Sequence, residues 1–183
     1  GDKPRLVILN RVDLADPQIT ARWRKYFESR GLAILETDAK SGKGVGSFAP
    51  AVRRLLKDKL AAYEAKGQVG RPLRVMILGI PNVGKSTFIN RVAGRKAAIA
   101  GDKPGVTRGK QWINIDQGLD LLDTPGILWP KFDSQEVGEM LAITNAIKAD
   151  VLDKETLGAN FMLRLRELYP KAIEERYKFV PDP

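Results

Sequence analysis

Near the middle of the chain the apolar run Val75-Met76-Ile77-Leu78 leads into Gly79-Ile80-Pro81-Asn82-Val83-Gly84-Lys85-Ser86, and a helical pattern opens at Lys85. The spacing is G-x-x-x-x-G-K-S/T in a strand, loop and helix setting. No other feature of the sequence restricts the fold as much, because such a loop works only between a strand and a helix that hold it. The glycines let backbone N–H groups wrap phosphate oxygens, Lys85 brings a cation to the β and γ phosphates, and the Ser86 hydroxyl completes a Mg2+ shell. Asn82, Val83, Gly84, Lys85, Ser86 and Thr87 are the first candidate nucleotide-binding residues.

The remainder of the chain supplies the elements such a loop needs. Leu6-Val7-Ile8-Leu9 and Ala33-Ile34-Leu35 read as buried strands, each bounded by polar or turn residues. Gln111 to Ile115 and Leu119 to Leu122, separated by Asp116-Gln117-Gly118, read as a hairpin. Helical stretches run from Pro17 to Arg30, from Phe48 to Lys66 and onward from Lys85, with a short linker over residues 67–72. Strands alternating with helices predict an α/β fold with mixed strand pairing. After Pro130 the pattern is helical, with Val137, Met140, Leu141, Thr144 and Ile147 on one face, then Phe161, Leu165 and Leu168 ahead of Pro170. Two domains are expected, 1–127 and 128–183.

Three further segments fit the phosphate loop. Asp123-Thr124-Pro125-Gly126 ends the last apolar strand, where a Mg2+ carboxylate (Asp123) and a backbone amide sensing the γ phosphate (Gly126) are needed. Alone, it would be a plain turn. Thr107 lies between the loop and this turn and is expected to bring a hydroxyl to the metal and the γ phosphate, on position alone. Lys85, Thr107 and Gly126 are the candidate catalytic residues; Ser86, Thr107 and Asp123 are the candidate Mg2+ set. Asn10-Arg11-Val12-Asp13 follows the first strand. A carboxylate at Asp13 accepts two hydrogen bonds from the N1–H and 2-amino group of guanine, whereas adenine offers no such pair of donors. The competing reading is that Asp13 starts a helix with Asp16 and Pro17. Thr37-Asp38-Ala39-Lys40, after the second strand, offers the Ala39 N–H to guanine O6 and the Lys40 stem for packing on the base. Asn10, Arg11, Asp13, Asp38, Ala39 and Lys40 complete the nucleotide set.

Composition narrows the chemistry. With no cysteine and no histidine among 183 residues, disulfides, zinc ribbons and Ser-His-Asp or Cys-His catalysis are ruled out in this chain. No apolar run approaches the ~20 residues of a membrane span, which sets the expectation of a cytoplasmic protein with no membrane partner. The net charge of +9 falls on the first two thirds of the sequence. Residues 91–110 hold Arg91, Arg95, Lys96, Lys103, Arg108 and Lys110 against Asp102 alone. Such a density suits a polyanion such as RNA, or equally a solvated face.

Together these segments resemble the G-motifs of GTPases in the order four, five, one, two, three, which is the order of the circularly permuted GTPases. Among those they are most similar to the ribosome biogenesis GTPase A family. The resemblance is carried by Gly79 to Thr87, by Asp102-Lys103-Pro104-Gly105-Val106-Thr107, and by Asp123-Thr124-Pro125-Gly126-Ile127-Leu128-Trp129-Pro130-Lys131, a continuation that generic GTPases lack. It implies a P-loop GTPase three-layer α/β fold in circularly permuted order, with part of a C-terminal helical appendage. It further implies GTP or GDP with Mg2+ as ligands, and K+ held by Asn82 beside the phosphates. Two departures stand out: Arg11 replaces the usual Lys of the base motif, and Thr37-Asp38 replaces the commoner residues before Ala39.

The same resemblance implies function. Ile127 stands where the usual pattern has a water-orienting Gln, so hydrolysis by the chain alone is expected to be slow. The expected role is a monomeric GTP-hydrolysing assembly factor whose nucleotide state controls its association with a precursor of the large ribosomal subunit and its rRNA, in the cytoplasm or an organelle. The alternatives are an RNA-binding assembly factor that uses GTP as a structural ligand, and a permuted GTPase with a non-ribosomal partner. The family also has a strand and helix ahead of the Asn10 motif and a longer helical C-terminal domain. Without that strand, the sheet is expected to be open between the Val75 and Leu6 strands.

Overall fold

The computed structural model describes residues 3–94, 111–116, 118–127, 134–147 and 153–178. It divides into two compact units, Gly1–Ile127 and Leu128–Pro183. The first unit runs β1 (Leu6–Asn10), α1 (Pro17–Glu28), β2 (Ala33–Thr37), a 3-10 turn (Val45–Ser47), α2 (Phe48–Leu55), α3 (Lys57–Ala65), β3 (Leu73–Met76), α4 (Lys85–Ala93), β4 (Gln111–Asp116) and β5 (Leu119–Asp123). Its mixed α/β architecture is the permuted P-loop fold expected from the sequence.

Strand pairing follows from the connections. β1 and β2 are parallel, Leu6 opposite Ala33 and Asn10 opposite Thr37, because α1 carries the chain back across the sheet. β4 and β5 form the expected hairpin, with a register shift between Asn114 and Asp116 next to Gly118, whose φ of 101° only glycine adopts without strain. β3 joins β5 in parallel, giving the order β3-β5-β4 in a second sheet. Among the described residues no backbone pairing joins β1 to β3.

Three elements differ from their sequence reading. β3 begins at Leu73, two residues before the expected Val75, because the Leu73 N–H is taken by the Gly118 carbonyl at 2.8 Å and its side chain is fully buried. The expected helix from Phe48 to Lys66 is two helices, broken at Leu56, whose φ and ψ of −108° and 21° lie outside the helical region. α1 stops at Glu28 rather than Arg30, and Asp16 caps its start by accepting from the Gln18 and Ile19 N–H groups.

The core of this unit sits beneath the phosphate loop. Phe48 and Phe88 meet edge to face at 5.2 Å, and Val52, Leu73, Ile89, Ile113, Leu119 and Leu121 close around them. On the surface, Arg53 of α2 reaches both carboxylate oxygens of Asp116 at 2.9 Å.

The second unit holds α5 (Gln135–Ile143), α6 (Lys154–Leu168) and α7 (Pro170–Tyr177). Ser134 and Asp153 cap α5 and α6. The expected face is only partly right: Leu141 and Ile147 are buried, but Thr144 is exposed because α5 ends at Ile143 and Asn145 turns the chain with φ 60°. Phe161 and Leu168 are likewise exposed, and the buried positions include Glu139 and Ile173. Glu139 is tolerated because Gln135 and Asn160 donate to one oxygen at 3.1 and 2.9 Å. Pro170, expected to end a helix, also starts the next at the position where its missing N–H costs nothing.

Phe88→Ala should lower stability by about 3–5 kcal/mol, the usual loss for emptying a buried aromatic site. Arg53→Met should cost less than about 1 kcal/mol, since that ion pair is solvent-exposed. Urea midpoints of the two variants check the ranking, and equal shifts would contradict the core described here.

Candidate functional site

The phosphate loop is shaped by two left-handed residues, Asn82 at φ 57° and Gly84 at φ 93°. Lys85 opens α4 and folds back over the loop, its Nζ donating to the carbonyls of Gly79 at 3.1 Å and Ile80 at 3.0 Å. Burial pushes its pKa below the usual lysine value, and the charge of Asp123 opposes that shift. Phe88 and Ile89, one turn on, are buried and anchor the helix behind the loop. Ser86 and Thr87 lie in its first turn.

Asn10, at the end of β1, ties this loop to the other sheet. Its Nδ2 donates to the Val83 carbonyl at 2.9 Å, while its Oδ1 accepts from the Thr37 hydroxyl and the Ala39 N–H, both at 3.1 Å. Gly84 permits the approach, for a Cβ there would lie 2.4 Å from Asn10 Nδ2. Ala39 is buried and its amide already has a protein acceptor, so a guanine O6 at this point shares the donor with Asn10. Lys40 is exposed beside it. Asp38 turns onto its own loop, accepting from the Lys40 N–H at 2.9 Å and the Ser41 N–H at 3.3 Å. Those bonds, led by the Ser41 side chain, hold its pKa below the ordinary value. Arg11 adopts φ 63° and is exposed, as is Asp13. The helix cap that competed for Asp13 belongs to Asp16.

The turn after β5 meets the loop from the other side. A Cβ on Gly126 would stand 2.7 Å from Pro81 N and 2.8 Å from its Cα, so only glycine fits. The Ile127 N–H donates to the Gly79 carbonyl at 3.0 Å, and the Thr124 hydroxyl to the Ile77 carbonyl at 2.7 Å. Asp123 is fully buried, and among the described residues neither carboxylate oxygen has a partner at full hydrogen-bond geometry, the Thr124 N–H and the Lys85 charge being the groups that favour its ionised form. Burial raises its pKa, with the Lys85 charge opposing. A buried carboxylate of this kind fits a hard divalent cation such as Mg2+, which takes oxygen ligands. Thr107, and Arg95, Lys96, Lys103, Arg108 and Lys110 of the basic stretch, lie outside the described residues.

Sequence reasoning missed three contributors. Thr37 and Thr124 are buried hydroxyls whose signal was only a polar residue closing an apolar strand. Arg91 was read as one charge in a basic run, yet its guanidinium donates to the carbonyls of Ala39, at 3.3 Å, and Lys40.

A family model described as 50S ribosome-binding GTPase matches residues 74–160. The match begins at β3 and leaves out residues 6–40, which the fold nevertheless brings to the loop. The chain is 46% identical over 177 residues to Ribosome biogenesis GTPase A of Priestia megaterium, covering 96% of this chain and 62% of that protein. It is 44% identical over 176 residues to the protein of that name from Bacillus licheniformis, again covering 96% and 62%. The structure of GNP-bound YlqF from T. maritima superposes with a TM-score of 0.58 at 27% identity, covering 93% of this chain and 64% of that one. The chain thus spans somewhat less than two thirds of the length of these relatives.

Because burial raises the Asp123 pKa, the folded state holds that proton more tightly than the unfolded chain does. The stability this provides is present in full below the ordinary carboxyl value and is lost as pH rises through the raised folded value. Without Mg2+ or nucleotide, Asp123→Asn should therefore melt a few degrees above the parent at neutral pH, with the gap closing in acid. Thermal melts across pH check this; a variant that melts below the parent at neutral pH would refute the unpaired charge.

Proposed function

Since the chain belongs to the ribosome biogenesis GTPase A family of circularly permuted GTPases, we infer that it binds GTP and GDP with Mg2+ and hydrolyses GTP. We infer also that nucleotide state sets its association with a precursor of the large ribosomal subunit and its rRNA, in the cytoplasm. The observation that carries the nucleotide reading is the convergence of Asn10, Lys85 and Gly126 on one loop from three distant parts of the sequence. The relatives' names, the 50S description of the family model and the net charge of +9 support the ribosomal reading.

At the phosphate end, Lys85 exchanges its two carbonyl partners for β and γ oxygens, and the backbone N–H groups of residues 82–87 wrap the phosphates. Bound Mg2+ neutralises phosphate charge; Ser86, Asp123 and Thr107 are the residues that hold it. Gly126 offers its amide to the γ phosphate, and Asn82 is the residue for K+. Ile127 has no polar side-chain atom and its N–H is bonded to Gly79, so it does not orient water. Slow turnover without the partner follows. At the base end, Asp13 accepts from N1–H and the 2-amino group, Ala39 serves O6, and the Arg11 and Lys40 stems flank the ring.

Asp13→Asn should weaken GTP binding and shift preference toward xanthine nucleotides, since an amide presents a donor where guanine also has one. Competition binding with GTP and XTP tests it; unchanged affinity and preference would remove Asp13 from the base site.

Single-turnover hydrolysis should accelerate when purified large-subunit precursors are added. It should fall by about a hundredfold or more in Lys85→Ala and Ser86→Ala, which remove contacts to the transferring group, but not comparably in Ile127→Ala. A rate indifferent to the precursor would favour GTP as a structural ligand or a non-ribosomal partner.

A further inference from the structure

The loop that presents Ala39 and Lys40 is held by more than its own turns. Asp38 N–H donates to the Lys43 carbonyl at 3.0 Å and Gly42 N–H to the Asp38 carbonyl at 2.8 Å, which closes the loop into a tight knot. Its outer rim is fastened to α4. Arg91 Nε donates to the Ala39 carbonyl at 3.3 Å, and an Arg91 terminal nitrogen donates to the Lys40 carbonyl. Gly42, at φ 94°, passes over the guanidinium, where a Cβ would lie 3.4 Å from Nε. One planar fork thus fixes two successive carbonyls, and with them the two peptide planes that flank the Lys40 α-carbon; the first of these also fixes the Ala39 α-carbon, next to the peptide that carries the Ala39 N–H.

We propose that Arg91 is a positioning residue for base selection: by fixing the Ala39 α-carbon it keeps the adjoining Ala39 N–H, which Asn10 also holds, at one place in the site, and so sets the discrimination between a 6-oxo and a 6-amino purine. The proposal rests on the guanine reading above. Arg91 touches neither base nor phosphate in that reading; it acts through the loop. Its effect on discrimination is confined to the 6-position, because Asp13, which reads N1–H and the 2-amino group, stands on the β1 side and has no part in the Arg91 contacts. Adenine carries a donor at the 6-position and gains nothing from a well-placed N–H, so loosening the loop costs adenine nucleotides only the packing of the Lys40 stem, a loss that guanine and hypoxanthine share.

The test uses the full chain and measures displacement of a fluorescent GDP by GDP, IDP and ADP. IDP keeps the 6-oxo group and lacks the 2-amino group, which separates the two base contacts. Arg91→Met keeps the aliphatic stem and removes the donors. GDP and IDP should both weaken by about tenfold more than ADP, the scale of losing a well-placed hydrogen bond, because ADP loses only the Lys40 packing that all three share. The GDP to ADP ratio then falls about tenfold and the GDP to IDP ratio stays constant. Arg91→Lys, which keeps the charge and reaches one carbonyl, should recover part of the loss. If the methionine variant does not fold, the two ratios in the lysine variant decide. An equal loss for all three nucleotides, or no change in the GDP to ADP ratio, overturns the proposal. A parent chain that does not prefer GDP over ADP shows instead that the guanine reading has failed, and the proposal falls with it.

Discussion

The side-chain amide of Asn10 lies where the two sheets of the first unit come closest without pairing. Among the described residues β1 bonds only to β2, and β3 only to β5, so no backbone ladder of theirs joins the two sheets. The amide links them because it donates and accepts at once. Its NH2 faces the Val83 carbonyl, and its oxygen faces a hydroxyl and an N–H. An Asp would turn an acceptor toward the Val83 carbonyl, and an Ala would strand three partly buried groups, each worth about 1–3 kcal/mol when left unpaired. Asn10 thus fastens the segment after β1 and the Ala39 amide directly to the loop, beside the Arg91 tether from α4, and Gly84 is the complementary requirement because no side chain at that position leaves room for it.

On its opposite flank the loop is confined by backbone alone. Gly126 rests on Pro81, and Ile127 N–H closes onto Gly79. The loop is thus held from both flanks. Against that rigidity stands the one conspicuous local cost, the buried and unpartnered carboxylate of Asp123. Such a group persists in a core only when something outside the protein completes it, since an apolar residue of similar size would be more stable there. Violations of this kind concentrate at functional sites, and this one lies at the end of β5, just before the turn that packs on Pro81.

What the sequence disclosed follows the range of the interactions involved. The strand, loop and helix around Gly79 to Ser86, the α1 start at Pro17 and the β4–β5 hairpin were legible because each depends on spacing within a few residues. The start of β3 was not, because it is set by Gly118, which is 45 positions away from Leu73 and donates nothing to the local pattern. The break at Leu56 and the exposure of Thr144 and Phe161 escaped for a similar reason: helical periodicity states which residues share a face, and only a packing partner states whether that face is covered. Glu139 is the inverse case, a charged residue buried because Asn160 on another helix reaches it.

Arg91 illustrates how a global reading of charge can hide a local role. In the sequence it opens a basic stretch and reads as one of several cations; in the fold it points back across the top of its own helix. At about 1.5 Å per residue, Lys85 and Arg91 stand about 9 Å apart along α4, with Phe88 buried between them against Phe48. One short helix therefore carries at its first turn the lysine that folds over the Gly79–Gly84 loop and at its last the arginine that braces the Ala39–Lys40 loop. Because the buried Phe88 and Ile89 keep that helix from shifting without disturbing the core, the distance between the two ends of the site is set by a rigid element, and the flexible part of recognition is left to the loops at either end.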